Sequence, residues 1–202
     1  MLQLYAFSMF LSTIIRDLGW STSVVQTELY SASPYVAGAL VTLMIGYLSD
    51  RFSHRGTYHA GCSIVALMGF LLQLGSSVPA VKYTGCFFAA FGIYPCIPNT
   101  ISWVANNVEG VYKRGVVFGF VMGWGNVSSN IYFSSPNYVE GHAGLIAFLA
   151  VFLLGGSLLM IMLLRSENKI RESSGRDGWV EGRTEEEIKD MGDRRPDFIY
   201  TI

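Results

Sequence analysis

The polar groups of this chain that could do chemistry are few, and most are set inside apolar stretches. The densest cluster is Gly46-Tyr47-Leu48-Ser49-Asp50-Arg51-Phe52-Ser53-His54-Arg55-Gly56. Asp50 can pair with a basic neighbour or a helix N-terminus, Arg51 and Arg55 suit anionic headgroups, and Gly46 permits two helices to approach. A plain basic turn would account for the arginines but not for the whole spacing.

Three other patterns have helical spacing. Gly115, Gly119 and Gly123 recur at steps of four and are followed on the same stripe by Asn126 and Asn130. Such a stripe serves either close helix packing or a surface that faces a ligand. Pro95 and Pro98 remove backbone donors within one apolar segment and should kink it, which leaves carbonyls in need of partners. Cys96, Asn99 and Trp103 share a face at that kink, with Tyr94 beside it. The face is either a cavity wall or, with Asn99 bonded to a neighbouring helix, a packing surface. Tyr5, Ser8 and Ser12 make a hydroxyl stripe near the start, for which back-bonding to helix carbonyls is the alternative.

Catalysis is a poor fit. His54, His59 and His142 fall on opposite sides of the inferred layer, no H-E-x-x-H or nucleophile elbow is present, and no buried acid pair is visible. Cys62, Cys86 and Cys96 lack metal-ligand spacing. We therefore expect no catalytic residue, no metal and no cofactor. A formal net charge of -1 offers no basic face for nucleic acid.

The elements that hold these groups follow from hydropathy. Hydrophobic residues make up 51% of the chain and charged residues only 14%. About 11 charged residues lie in 1–164, against about 18 in the far shorter 165–202. The first region breaks into six apolar segments near 2–18, 30–49, 59–75, 81–104, 115–133 and 143–164, each close to the about 20 residues a helix needs to cross a bilayer. The alternative, buried helices of a large soluble protein, fits less well. A signal peptide at residues 2–15 is rejected because no basic region precedes it and five further apolar segments follow.

Arg51, Arg55, Lys113, Arg114, Arg165, Lys169 and Arg171 fall on one side of this layout, and only Arg16 and Lys82 on the other. The positive-inside rule then makes the first side cytoplasmic, with both termini inside and residues 165–202 a cytosolic charged tail. The sequon Asn126-Val127-Ser128 falls within the fifth span, out of reach of glycosylation. Thr184 and Glu187 read as a capping box, and residues 171–178 as a flexible linker.

The loop at 46–56 is similar to the G-x-x-x-D-R-x-x-x-R pattern of the major facilitator superfamily, in the weaker copy between its eighth and ninth helices. Pro98-Asn99-Thr100, Asn106-Asn107, Lys113-Arg114-Gly115, Gly123-Trp124-Gly125-Asn126 and the stretch Gly192 to Phe198 resemble the fungal anion:cation symporter branch that includes the allantoate permease family. The resemblance covers nearly the whole chain. It implies an all-α membrane protein, one six-helix bundle forming the C-terminal half of the superfamily fold, with a gating loop at Gly46, Asp50, Arg51 and Arg55.

It further implies transport of a small organic anion or vitamin of the nicotinate, pantothenate, biotin or allantoate class by alternating access. Protons are the candidate coupling ion, with Glu28, at the outer end of the second span, the candidate carboxylate, and the plasma membrane the expected location. Tyr5, Ser8, Ser12, Tyr94, Asn99, Trp103, Asn126 and Asn130 become the substrate-cavity candidates. Function would require an N-terminal bundle as partner, or else the chain pairs with a full-length homologue as a non-transporting regulator through Gly115, Gly119 and Gly123.

Overall fold

A computed structural model describes residues 7, 11, 15, 16, 19, 23–132, 146–147 and 149–202, with the side chains of 124–132 and 149 outside that description. Every regular element among the described residues is helical: α1 (Val24–Phe52), α2 (Arg55–Gly75), α3 (Pro79–Asn107), α4 (Val111–Tyr132), α5 (Gly156–Glu172) and a short α6 (Glu185–Asp190). Wide π-helical turns at Leu149–Gly155 lead into α5. Of these, α1, α2, α3 and the stretch Ala150–Glu172 are long and apolar enough to cross a membrane.

Local chemistry sets the ends. α1 starts at Val24, ahead of the expected residue 30, because the Ser23 hydroxyl accepts from the Gln26 amide at 3.3 Å and caps the helix. It stops where Ser53 turns left-handed, at φ 54°, leaving only Ser53 and His54 between α1 and α2. Pro79 opens α3, where a missing N–H costs nothing. Gly110, at φ 94°, supplies the left-handed residue between α3 and α4. α5 runs to Glu172, past the expected end at 164, so Arg171 is a buried helical residue and not part of a flexible linker. The capping box at Thr184 and Glu187 forms, and those hydrogen bonds from the Thr184 backbone and hydroxyl hold the Glu187 carboxyl below its usual range.

In lipid, apolar side chains gain little by leaving the solvent, so helices associate through close backbone packing. α2 and α3 meet in this way. A Cβ on Gly92 would lie 2.4 Å from the Ala66 nitrogen and 2.4 Å from the Cys62 carbonyl oxygen, and one on Gly69 2.3 Å from the Ala89 nitrogen. Ala66, Cys86, Ala89 and Ala90 are buried at this crossing with Phe70 and Ile93, and Phe7, Leu11 and Ile15 close over it. α1 crosses α3 at Gly38, where a Cβ would come within 2.8 Å of the Tyr94 ring. The outward surfaces of α1 and α5 carry exposed Leu40, Leu43, Leu159 and Met162, as lipid-facing helices do.

By contrast, nothing described lies within 4 Å of a Cβ built at Gly46, Gly115, Gly119 or Gly123. The expected contact at Gly46 is absent among the described residues, and the close packing falls on Gly38, Gly69, Gly85 and Gly92.

Gly92→Ala is expected to destabilise the detergent-solubilised protein by about 1–3 kcal/mol through overpacking. Gly115→Ala, with open space around it, should be neutral or slightly stabilising. Thermal unfolding of the two variants side by side checks this.

Candidate functional site

The turn between α1 and α2 is tied to the proline-bearing α3 by one side chain. Asn99, one residue beyond Pro98, donates from Nδ2 to the Arg55 carbonyl at 2.6 Å and accepts from the Ser49 hydroxyl at 2.9 Å. Both Ser49 and Asn99 are buried. Asp50 and Arg55 close the same turn with an ion pair of 2.6 Å, the acid well exposed and the arginine largely covered. Arg51 is exposed. Of the two roles open to Asn99, it holds the helix-to-helix bond.

Trp103 lies one turn further along α3. Its ring is packed so closely over Gly56 that a Cβ there would be 2.7 Å from it. Ala60, Ile161 and Leu164 complete this small apolar cluster, and Tyr200 and Ile202 pack against it. The indole N–H donates to the Thr201 carbonyl at 2.9 Å. Beside it, His59 has Nδ1 2.7 Å from the Ser157 hydroxyl and Nε2 2.9 Å from that of Thr100, joining α2 to both α5 and α3. Sequence reasoning missed His59 as a junction because its partners are remote in the chain.

Nearer the other end, Tyr94 is half-buried in an aromatic group. Phe7 lies 6.2 Å and Tyr35 6.0 Å from it between ring centroids, both edge-on. Edge-to-face contacts continue along α3 through Tyr83 and Phe87 at 5.2 Å, with the Tyr83 hydroxyl donating to the Tyr30 carbonyl at 3.1 Å. Phe7 is buried in this group, while Tyr35 and Tyr94 are half-buried. Tyr94 thus stands with Phe7 and Tyr35, apart from the Asn99 and Trp103 junctions. Tyr35 could have been found from its place on α1, but hydropathy ranks it with the span's other aromatics.

Tyr5, Ser8 and Ser12 lie outside the described residues, as do the side chains of Asn126 and Asn130. Glu28 is exposed in the first turns of α1. No group of His, Cys, Asp or Glu that could hold a metal occurs among the described residues. A hollow of about 1200 Å³ opens at the charged end, lined by both signs of charge, including Lys113, Arg176, Arg183, Glu109 and Asp193.

Comparison with known proteins gives a consistent picture. Residues 1–194 match the Major Facilitator Superfamily profile. A Schizosaccharomyces pombe protein named as an uncharacterized transporter is 33% identical over 98% of this chain and 39% of its own length. An MFS-type transporter of Penicillium expansum is 28% identical over 98% of the chain and 40% of that protein. The high-affinity nicotinic acid transporter of Saccharomyces cerevisiae is 28% identical over 81% of the chain and 31% of that protein. The chain thus spans about two fifths of the first two relatives' length. No solved structure matches it.

Asn99→Ala removes the partner of the buried Ser49 hydroxyl and the side-chain bond to the Arg55 carbonyl, and is expected to cost about 1–3 kcal/mol. Asp50→Asn removes an ion pair whose acid is 65% exposed, and should cost at most about 1 kcal/mol. Melting temperatures in one detergent rank the two.

Proposed function

This chain belongs to the Major Facilitator Superfamily, and from that premise we propose that it is the C-terminal bundle of a transporter for a small organic anion or vitamin of the nicotinate class. The solute binds in a cleft completed by an N-terminal bundle, and the two bundles rock about it to expose it to each side in turn. Proton symport supplies the driving force. The observation that carries the substrate class is the likeness to the Saccharomyces nicotinic acid transporter. The half-buried rings of Tyr35 and Tyr94 support it, since a pyridine ring packs well against aromatic edges.

In this reading Asp50 and Arg55 form the gating turn, and the pairing of an exposed acid with a covered arginine gives a contact that can break and remake at the membrane face. The basic residues at that end support a cytoplasmic position for it, and with it for residues 165–202. The membrane is the plasma membrane.

Uptake tests the proposal. In cells stripped of their own nicotinate uptake, the chain expressed with the N-terminal half of the Saccharomyces relative should accumulate labelled nicotinate severalfold above either half alone. A proton ionophore should abolish the gain. Membrane-located chain that moves none of nicotinate, pantothenate, biotin or allantoate would overturn the proposal, and inhibition of a co-expressed full-length relative would favour a regulator instead. Orientation is checked separately: tags at Ser53 and Glu109 should be labelled in intact cells only after the plasma membrane is permeabilised.

A further inference from the structure

The segment that follows α6 is not a loose end. Asn168 of α5 brackets the backbone of Tyr200, donating to its carbonyl at 2.8 Å and accepting from its amide at 2.8 Å. Asn107 of α3 does the same for Thr201, at 2.9 Å and 2.8 Å. Two amide side chains on two helices therefore hold the backbones of consecutive residues in a segment that has no helix or strand of its own. Between them the guanidinium of Arg171, only 6% exposed, donates to the carbonyls of Asp193, Arg195 and Phe198 at 3.1, 2.9 and 2.7 Å. It also lies 4.4 Å from the Tyr200 ring centroid. Ion pairs flank the groove: Lys113 of α4 to Asp193 at 2.6 Å, and Glu109 to Arg195 at 3.2 Å.

What this segment holds is the part of α3 beyond its prolines. Pro95 and Pro98 lack the N–H groups that would bond the carbonyls of Phe91 and Tyr94, so the last turns of α3 join the rest across two missing bonds. Asn107 and Trp103 lie on those last turns, whereas Asn168 and Arg171 lie on α5.

We propose that residues 193–201 are a releasable latch, seated in a peptide groove between α3 and α5, which fixes the end of α3 beyond its proline hinge. Released, the segment leaves the end of α3 held by Asn99, the Thr100–His59 bond and the rest of the Trp103 cluster, and freer to swing about Pro95 and Pro98. Most of the contacts are hydrogen bonds and ion pairs at the charged end, where water can replace them; the buried Arg171 and the packing of Tyr200 and Ile202 on the Trp103 cluster supply the part that favours the seated state. A competing extended peptide, or a negative charge placed on Tyr200 or Thr201, would act on the same groove. The proposal needs no assumption about the solute.

Hydrogen exchange of the whole chain in lipid nanodiscs, read by mass spectrometry, decides it. Asn168→Ala alters α5 only, and its side chain bonds nothing on α3. It should speed exchange at residues 195–201 by an order of magnitude or more and, with it, exchange at 103–107 of α3, while 85–93 above the prolines keeps its protection. Asn107→Ala should reproduce the effect at 195–201. Faster exchange in the tail alone would make the segment a passenger, and no change in either would mean it is not seated by these contacts; each result overturns the latch. As a second arm, Tyr200→Glu in the whole chain should speed exchange at 195–201 and at 103–107 together, at least severalfold beyond Tyr200→Phe. Equal exchange in the two variants overturns the groove.

Discussion

A helix with two prolines in its middle has lost the backbone bonds that would fix the direction of its far half, so that direction must come from side chains. In α3 the first of these is Asn99, whose amide satisfies the Arg55 carbonyl and the Ser49 hydroxyl together. An apolar residue there could supply neither bond, and a buried carbonyl without a partner is costly where water is scarce. The turn between α1 and α2, the end of α3 and the entry to α2 are thus fixed relative to each other by one amide, and the Asp50–Arg55 pair, the Trp103 cluster and the seating of residues 193–201 all build outward from that joint.

The remainder of the fold depends on shape. α2 and α3 touch through Gly69, Gly85, Ala89 and Gly92, with no charged residue at that crossing, and most of the described polar links between helices lie at the charged end, Tyr83 to Tyr30 and Gln73 to Cys86 being at the other. The molecule is accordingly rigid by close contact in its apolar middle, and joined by exchangeable bonds where α3 to α5 meet the tail. That division suits a membrane helix bundle, in which hydrogen bonds near water can be exchanged and those in hydrocarbon cannot.

Hydropathy and charge made the class of fold legible, and the loop at Gly46 to Gly56 pointed to the family, because both signals are local. Helix ends were legible less well: Ser23 and Ser53, which fix α1, are unremarkable in composition and act through capping geometry. Helical spacing showed that Asn99 and Trp103 share a face, but spacing cannot say which neighbour meets that face. For the same reason the glycines of α4 drew attention while those of α2 and α3, less regularly spaced, form the tight crossing. The tail was misjudged for a clearer cause. Residues 171–178 are polar enough to read as linker, yet Arg171 is buried because three backbone carbonyls from residues distant in sequence converge on it. Composition carries no information about such convergence.

The contact of Trp103 with Gly56 has a mechanical implication. The indole rests on the bare backbone at the start of α2 with one side, and donates to the backbone of Thr201 through its nitrogen. One ring thus keys the entry of α2 to the end of the chain, and a side chain at position 56 would force it off that seat.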